Sequence, residues 1–180
     1  EIIDLHNNLR TLQTKLLLRK RSSTFKKLNF QKWLLVRFKI NVMPKLHVVE
    51  RYLETVKHLG IKNDEQGLDY FIPAKDEVNL QTLPTTHQKG YIGFVIGAKH
   101  FTKQLPVEKA ISICTKINQP LVLLGGKEDR DRGERIANAV GETVYNACGI
   151  YNLNQSASLV KQASRIISHD TGLMHVAAAF

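Results

Sequence analysis

Cysteine, long apolar runs and, in the first third, acidic residues are all scarce in this 180-residue chain. Two cysteines, Cys114 and Cys148, cannot frame a disulfide-held domain, and they form neither a Cys-x-x-Cys pair nor a Cys/His spacing suited to zinc, so buried free thiols are expected. No run approaches the about 18 consecutive apolar residues of a membrane-spanning helix, and the first residues do not read as a basic-then-apolar leader. Charged residues make up only 23% and no low-complexity tract occurs, which excludes a disordered polymer or a collagen-like fibre. A soluble intracellular protein is the expectation, with 43% hydrophobic residues to build a sizeable core.

Acid is missing where base is plentiful. The formal net charge is +10, yet residues 1–60 hold 13 Lys/Arg against 4 Asp/Glu while residues 61–180 hold 13 against 12. One segment therefore carries the basic character, which suits nucleic acid, a membrane surface or an acidic ligand. The ends look abrupt: Ile2-Ile3-Asp4-Leu5 reads as the second half of a strand, and Ala177-Ala178-Ala179-Phe180 stops inside a helical pattern. A piece of a longer chain is expected.

Leu9, Leu12, Leu16 and Leu17 recur at helical spacing among Arg10, Lys15, Arg19, Lys20 and Arg21, predicting an amphipathic basic helix over residues 8–21. A strand-like stretch at 22–30 and a helix over 31–39 around Trp33 follow, before Pro44 interrupts. Residues 47–59 give another helical stripe with Gly60 as its C-cap. Residues 61–84 read as a linker, and the irregular texture to residue 90 contains at most a short strand at Tyr70-Phe71-Ile72. Strands at 91–96, 121–124, 143–145 and 165–168 then alternate with helices at 106–117, 129–140, 154–163 and from 172 onward. Such alternation with short connections predicts a doubly wound α/β domain with a parallel sheet, whose ligands sit beyond the carboxyl ends of the strands.

Three strand exits carry the candidate chemistry. The first is Ser168-His169-Asp170-Thr171-Gly172-Leu173-Met174-His175, where Asp170 and Thr171 can cap the next helix and Gly172 admits close approach to the backbone. Free N–H groups at that helix start suit a phosphate or diphosphate, although a capped helix after a strand reads the same way. His175, four residues beyond Thr171, is either a packed histidine or a second contact to the same ligand. The second exit is Ile96-Gly97-Ala98-Lys99-His100-Phe101-Thr102-Lys103-Gln104-Leu105-Pro106. Thr102 and Lys103 can meet phosphate oxygens there, or simply form a solvated basic loop, and neither the Gly-x-x-x-x-Gly-Lys-Ser/Thr nor the Gly-x-Gly-x-x-Gly pattern is present. The third is Gly125-Gly126-Lys127-Glu128-Asp129, where an acid can accept from ribose hydroxyls or merely favour a helix start. Residues 146–156 form a polar loop able to frame a base or sugar.

With these exits in view, the chain resembles glycosyltransferase family 9, the heptosyltransferases of lipopolysaccharide synthesis. Asp170-Thr171-Gly172-Leu173-Met174-His175-Val176-Ala177-Ala178-Ala179 matches the family's Asp-Thr/Ser-Gly-x-x-His-x-Ala-x-Ala signature, supported by Gly97 through Lys103 with Pro106 and by Gly125-Gly126 with its following acids. The resemblance implies the GT-B architecture: two Rossmann-like α/β domains with parallel sheets, the first incomplete here. Residues 1–60 would be the C-terminal part of an acceptor-binding domain and residues 85–180 a donor-binding domain. It further implies an inverting, metal-independent transferase without a cofactor, using a nucleotide-diphospho-sugar such as ADP-heptose and an anionic glycolipid acceptor. Its place would be the cytoplasm, in peripheral contact with the inner membrane, with no nucleic acid as partner. In that frame Thr102, Lys103, Asp170, Thr171, Gly172 and His175 bind the donor phosphates, and Glu128 or Asp129 holds the ribose. The family's general base is an Asp near the start of the acceptor domain, outside this chain, and Asp4 comes too late to take its place, so no catalytic residue is named. Competing readings are a sugar-nucleotide epimerase or hydrolase of the same fold and a basic nucleic-acid-binding module.

Overall fold

A computed structural model describes residues 1–98 and 100–180, which form two compact units, Glu1–Gln66 and Gly67–Phe180. No helix among the described residues is long and apolar enough to cross a membrane.

The first unit is built on a two-stranded parallel sheet, β1 (Ile2–Asp4) paired with β2 (Ser22–Thr24) and joined by the crossover helix α1 (Leu9–Leu18). Asn8 starts α1 through a capping box with Thr11, and Arg19 in the left-handed region ends it. Helices α2 (Asn29–Phe38) and α3 (Val48–Glu54) follow, the latter opened by His47 and Glu50 in a reciprocal cap. The stripe expected over 47–59 is shorter than its periodicity, since a 3₁₀ turn at Lys57–Leu59 takes over before Gly60 closes it at φ 77°. The tie across this unit is polar. Lys15 Nζ, from α1, lies 2.8 Å from buried Asp4 and donates to Thr24 Oγ1 at 2.9 Å, while the N–H groups of His6 and Asn7 donate to the same carboxylate. Lys15 first, with these N–H groups, holds the Asp4 carboxyl well below the usual carboxylate range. Phe25 is the buried aromatic, packed against Tyr52 at 4.5 Å between ring centroids. The leucine stripe of α1 does not face a core here: Leu9 and Leu17 are 84% and 75% exposed.

The second unit holds a four-stranded parallel sheet in the order β5-β4-β3-β6, made of β3 (Ile92–Val95), β4 (Leu121–Leu124), β5 (Val144–Asn146) and β6 (Arg165–Ile167). Helices α4 (Val107–Ile117), α5 (Arg130–Val140), α6 (Leu153–Gln162) and α7 (Gly172–Ala177) alternate with the strands, within a residue or two of the expected bounds. Period-2 alternation, with both faces covered, explains why β3 and β4 are apolar throughout. Ile92, Phe94, Leu121 and Leu123 face one cluster with Ala110, Cys114 and Ile136, and Val95, Val122 and Leu124 face the other with Leu159, Val160 and Val176. Gly93 is required where β3 meets β6, because a Cβ there would lie 2.5 Å from Ile166 Cδ1. Both thiols are buried and free, as expected, with burial pushing Cys114 up to about 11 and Cys148 to about 12.

The linker expectation needs correction. Residues 67–84 are not a spacer, and Tyr70-Phe71-Ile72 is no strand; this segment and the residues to 90 coat one face of the second sheet in short 3₁₀ turns. Leu83 is buried, and Tyr70, Ile72, Val78 and Leu80 pack on the same cluster. Asp76 accepts from Asn152 Nδ2 and Asn154 Nδ2 at 3.0 and 3.1 Å, and Val78 N–H donates to Ser158 Oγ at 2.9 Å. His87 is fully buried. Its Nε2–H donates to the carbonyls of Leu121 and Thr143 at 3.1 and 3.2 Å, leaving Nδ1 to accept from Thr86. Desolvation lowers its pKa.

Candidate functional site

Strand order locates the site before any side chain is considered. The chain steps outward from β3 to β4 to β5, then crosses back to place β6 on the other side of β3. Loops leaving β3 and β6 therefore diverge and open a crevice at their carboxyl ends, the place where open α/β sheets hold ligands. A cavity of about 720 Å³ lies there, lined among others by Gly97, Gly125, Glu128, Tyr151, Thr171 and Leu173.

Glycine makes its wall. A Cβ on Gly97 would lie 2.4 Å from Asp129 Oδ2 and 3.0 Å from Gly125 Cα, and one on Gly125 would lie 2.9 Å from the same carboxylate. Asp129 is 3% exposed, and its Oδ2 accepts the Gly126 N–H at 3.0 Å. Of the two acids considered for a ribose, Asp129 thus holds the glycine turn, whereas Glu128 is exposed on the cavity lining. Arg132 braces the opposite loop by donating from Nη1 to the Ile96 carbonyl at 3.0 Å, and Gln104 Nε2 donates to the Ala98 carbonyl at 2.7 Å. Lys99 lies outside the described residues.

The β6 loop departs from expectation in its cap. Thr171 occupies the N-cap of α7, but neither it nor Asp170 makes a side-chain cap bond. Thr171 Oγ1 and both ring nitrogens of His169 are buried without a hydrogen-bond partner among the described residues. Burial first, then the Arg132 guanidinium, lowers the His169 pKa. Asp170 turns away from the helix and forms an ion pair with Lys103, joining two loops 67 residues apart in sequence. Lys103 is the main reason that the Asp170 carboxyl lies below its ordinary range, with His175 a smaller one.

Of the sequence candidates, Glu128, Asp129, Thr171 and Gly172 line the cavity. Lys103 and Asp170 flank it through neighbours that do, Gln104 and Thr171, while Thr102 and His175 are exposed and outside the lining. Tyr151, Asn152, Leu153 and Ser156 bring in the polar loop expected to frame a base or sugar. Gln104 and Leu173 were not singled out by spacing, and no sequence signal marks them beyond adjacency to the motifs.

The family model described as glycosyltransferase family 9 (heptosyltransferase) matches residues 3–180. The chain belongs to glycosyltransferase family 9. It is 32% identical over 115 residues to "Lipooligosaccharide heptosyltransferase 2" of Haemophilus ducreyi, covering 55% of this chain and 31% of that protein. Among solved structures, the E. coli ADP-heptose lps heptosyltransferase II is similar over 98% of this chain and 59% of its own, at TM-score 0.72 and 21% identity. The E. coli heptosyltransferase WaaC with ADP-2-deoxy-2-fluoro heptose matches at TM-score 0.54 and 27% identity, over 78% of this chain and 44% of its own. The chain thus spans about a third of the length of that curated relative and about half that of the solved heptosyltransferases. These likenesses agree with the α/β fold of the GT-B type, and the residues that match the family model include Asp170-Thr171-Gly172 at the β6 exit.

Proposed function

We propose that this chain contributes the donor-binding part of a family 9 glycosyltransferase that moves a heptose or related sugar from a nucleotide-diphospho-sugar to a lipopolysaccharide-type acceptor. The observation that carries it is the cavity at the β3/β6 crevice, where all three motif-bearing strand exits converge. A solved neighbour is named with an ADP-heptose analogue, which supports ADP-heptose or a close relative as the donor.

In this reading the base and ribose lie against Tyr151 and Asn152, and exposed Glu128 accepts from the ribose hydroxyls while Asp129 keeps the glycine turn shut behind them. Thr171, whose hydroxyl has no partner among the described residues, donates to a diphosphate oxygen, and Gly172 lets the backbone approach it. Lys103 supplies positive charge to the same group, with Thr102 beside it, and Asp170 holds the ammonium beside the cavity until the donor arrives. The transfer is an inverting in-line displacement: an acceptor hydroxyl attacks the anomeric carbon, the bond to the nucleoside diphosphate breaks, and the departing negative charge falls on Lys103 and Thr171 rather than on a metal ion. His175 lies near Asp170 and tunes the charge there. The deprotonating base comes from the rest of the enzyme. The basic first unit faces an anionic glycolipid, placing the protein on the cytoplasmic face of the inner membrane in peripheral contact.

Titration with ADP, followed by calorimetry, tests the donor half. Lys103→Ala should weaken ADP binding by about tenfold or more, as expected for a charge-assisted contact, with the thermal midpoint unchanged, and Glu128→Gln should weaken adenosine and ADP alike. Equal affinity of the wild type and both variants would remove the proposed roles.

A further inference from the structure

Two helices begin at the cavity, α6 after Asn152 and α7 after Thr171, and their starts are finished differently. At Thr171 no side chain caps the helix, and the threonine hydroxyl has no partner among the described residues. At Asn152 every group is engaged. Its Oδ1 accepts the Gln155 N–H at 2.8 Å, and Gln155 Oε1 accepts the Asn152 N–H at 2.9 Å. The amide nitrogen of the same side chain donates at 3.0 Å to Asp76, a buried carboxylate on the 67–90 coat that no step of the proposed transfer uses. The other Asp76 oxygen accepts from Asn154 Nδ2 at 3.1 Å, and Asn154 Oδ1 in turn accepts the Tyr70 hydroxyl at 2.9 Å. Both oxygens of one carboxylate are therefore spent on the first turn of α6.

Asp76 is an anion brought from 76 residues away to the positive end of a ten-residue helix, where the dipole favours the charged form. The Asn152 amide first, then that of Asn154, holds its carboxyl below the ordinary range. Geometrically, the contact pins Asn152 and with it the wall that Tyr151, Asn152 and Leu153 present to the cavity. Electrically, it sets a negative charge one side chain behind that wall, with amides as its hydrogen-bond partners, whereas the acid beside Thr171, Asp170, is paired with Lys103. An uncharged base is indifferent to such a charge and a diphosphate is repelled by it. We propose that Asp76 is a positioning residue for the donor: through Asn152 it shapes the wall that receives the base, and its charge turns the diphosphate towards Thr171 and Lys103. The proposal rests on the reading of the cavity as a nucleotide site and adds the residue that decides which way round the nucleotide lies.

Adenosine, ADP and inorganic pyrophosphate are titrated by calorimetry against the full chain and three variants. Asp76→Ala should weaken adenosine and ADP about fivefold, the loss expected for about one hydrogen bond, and should bind pyrophosphate at least as tightly as the wild type. Asn154→Ala breaks a bond to the same carboxylate but leaves Asn152 held, so its adenosine affinity should match the wild type. Asn152→Ser keeps a hydroxyl to cap α6 and gives up the amide that Asp76 holds, so it should weaken adenosine as Asp76→Ala does. Unchanged adenosine affinity in Asp76→Ala overturns the proposal, as does pyrophosphate weakening in step with adenosine. Equal losses in Asn154→Ala and Asp76→Ala also overturn it, in favour of a carboxylate that only fastens the coat. Where Asp76→Ala does not fold, Asn152→Ser decides: adenosine affinity unchanged there overturns the proposal. A wild type that binds none of the three probes removes the nucleotide site and the proposal together, whereas wild-type binding of all three with unaltered variants removes the proposal alone.

Discussion

Among the described residues of the first unit, one aromatic ring and one carboxylate are buried, Phe25 and Asp4; the second unit buries apolar side chains on both faces of a four-stranded sheet. Both units use the same local grammar of parallel strands, crossover helices and side-chain caps. What differs is the number of layers. In the second unit the apolar side chains of β3 and β4 pack into two clusters with the helices and the 67–90 coat, whereas α1, α2 and α3 contain no buried residue at all. An amphipathic stripe by itself therefore does not make a core; it needs a second apolar surface to meet.

The comparison breaks most sharply under truncation. Phe94→Ala, at a ring 1% exposed in β3, should cost about 3–5 kcal/mol in urea unfolding. Leu17→Ala, at a residue 75% exposed in α1, should stay within about 0.5 kcal/mol. Comparable losses at both positions would mean that the first unit hides its leucines in solution. Gly97→Ala should have an intermediate effect, about 1–3 kcal/mol, because its Cβ would press on the Asp129 carboxylate 2.4 Å away. The same change should weaken ADP binding, since the Gly126 turn that Asp129 holds would shift. Unaltered stability together with unaltered ADP affinity would show that the wall yields freely.

The smallest effect separates the units by pH. Burial lowers the His87 pKa below its ordinary 6.5, so the unfolded chain binds the proton more readily. His87 therefore contributes stability above pH 6.5 that is lost as the pH falls. Asp4 is depressed from 3.8 by Lys15, so its contribution persists down to that pH and is lost only below it. Hydrogen exchange read segment by segment should show protection in the second unit falling between pH 7.5 and 5.5 while residues near Asp4 hold. His87→Gln, which keeps a donor for the Leu121 and Thr143 carbonyls but does not titrate, should flatten that decline. A decline that persists in the variant would assign it to another group.

Much of the second unit was legible because a doubly covered strand must be apolar at every position, and Leu121-Val122-Leu123-Leu124 says so without help from its neighbours. The coat over 67–90 was not legible. Its 3₁₀ turns have no sustained periodicity, and the groups that fix it, Ser158, Asn152 and Asn154, lie 76 to 80 residues away from their partners Val78 and Asp76. The same limit applies to the site. Motif spacing pointed to each loop separately, but the Lys103–Asp170 pair exists only once β6 lies beside β3. Spacing also left Glu128 and Asp129 equivalent; the difference came from Gly97 and Gly125, whose missing side chains leave room for one carboxylate and not the other. In the first unit the period of α1 could be read, but nothing in a period names what the stripe will meet.

That return of β6 to the side of β3 has a bearing on how the chain is made. The first strand of this sheet is synthesised some 70 residues before the neighbour that covers its second edge, Ile92 waiting for Arg165 and Phe94 for Ile167. Until then β3 is an edge of a three-stranded layer, apolar along its length, with open N–H and C=O groups offered to any other chain. Its protection and the crevice arrive in the same late event. A chain that fails to seat β6 is left without the β3/β6 crevice and with a template for aggregation, so loss of ADP binding and loss of solubility should travel together.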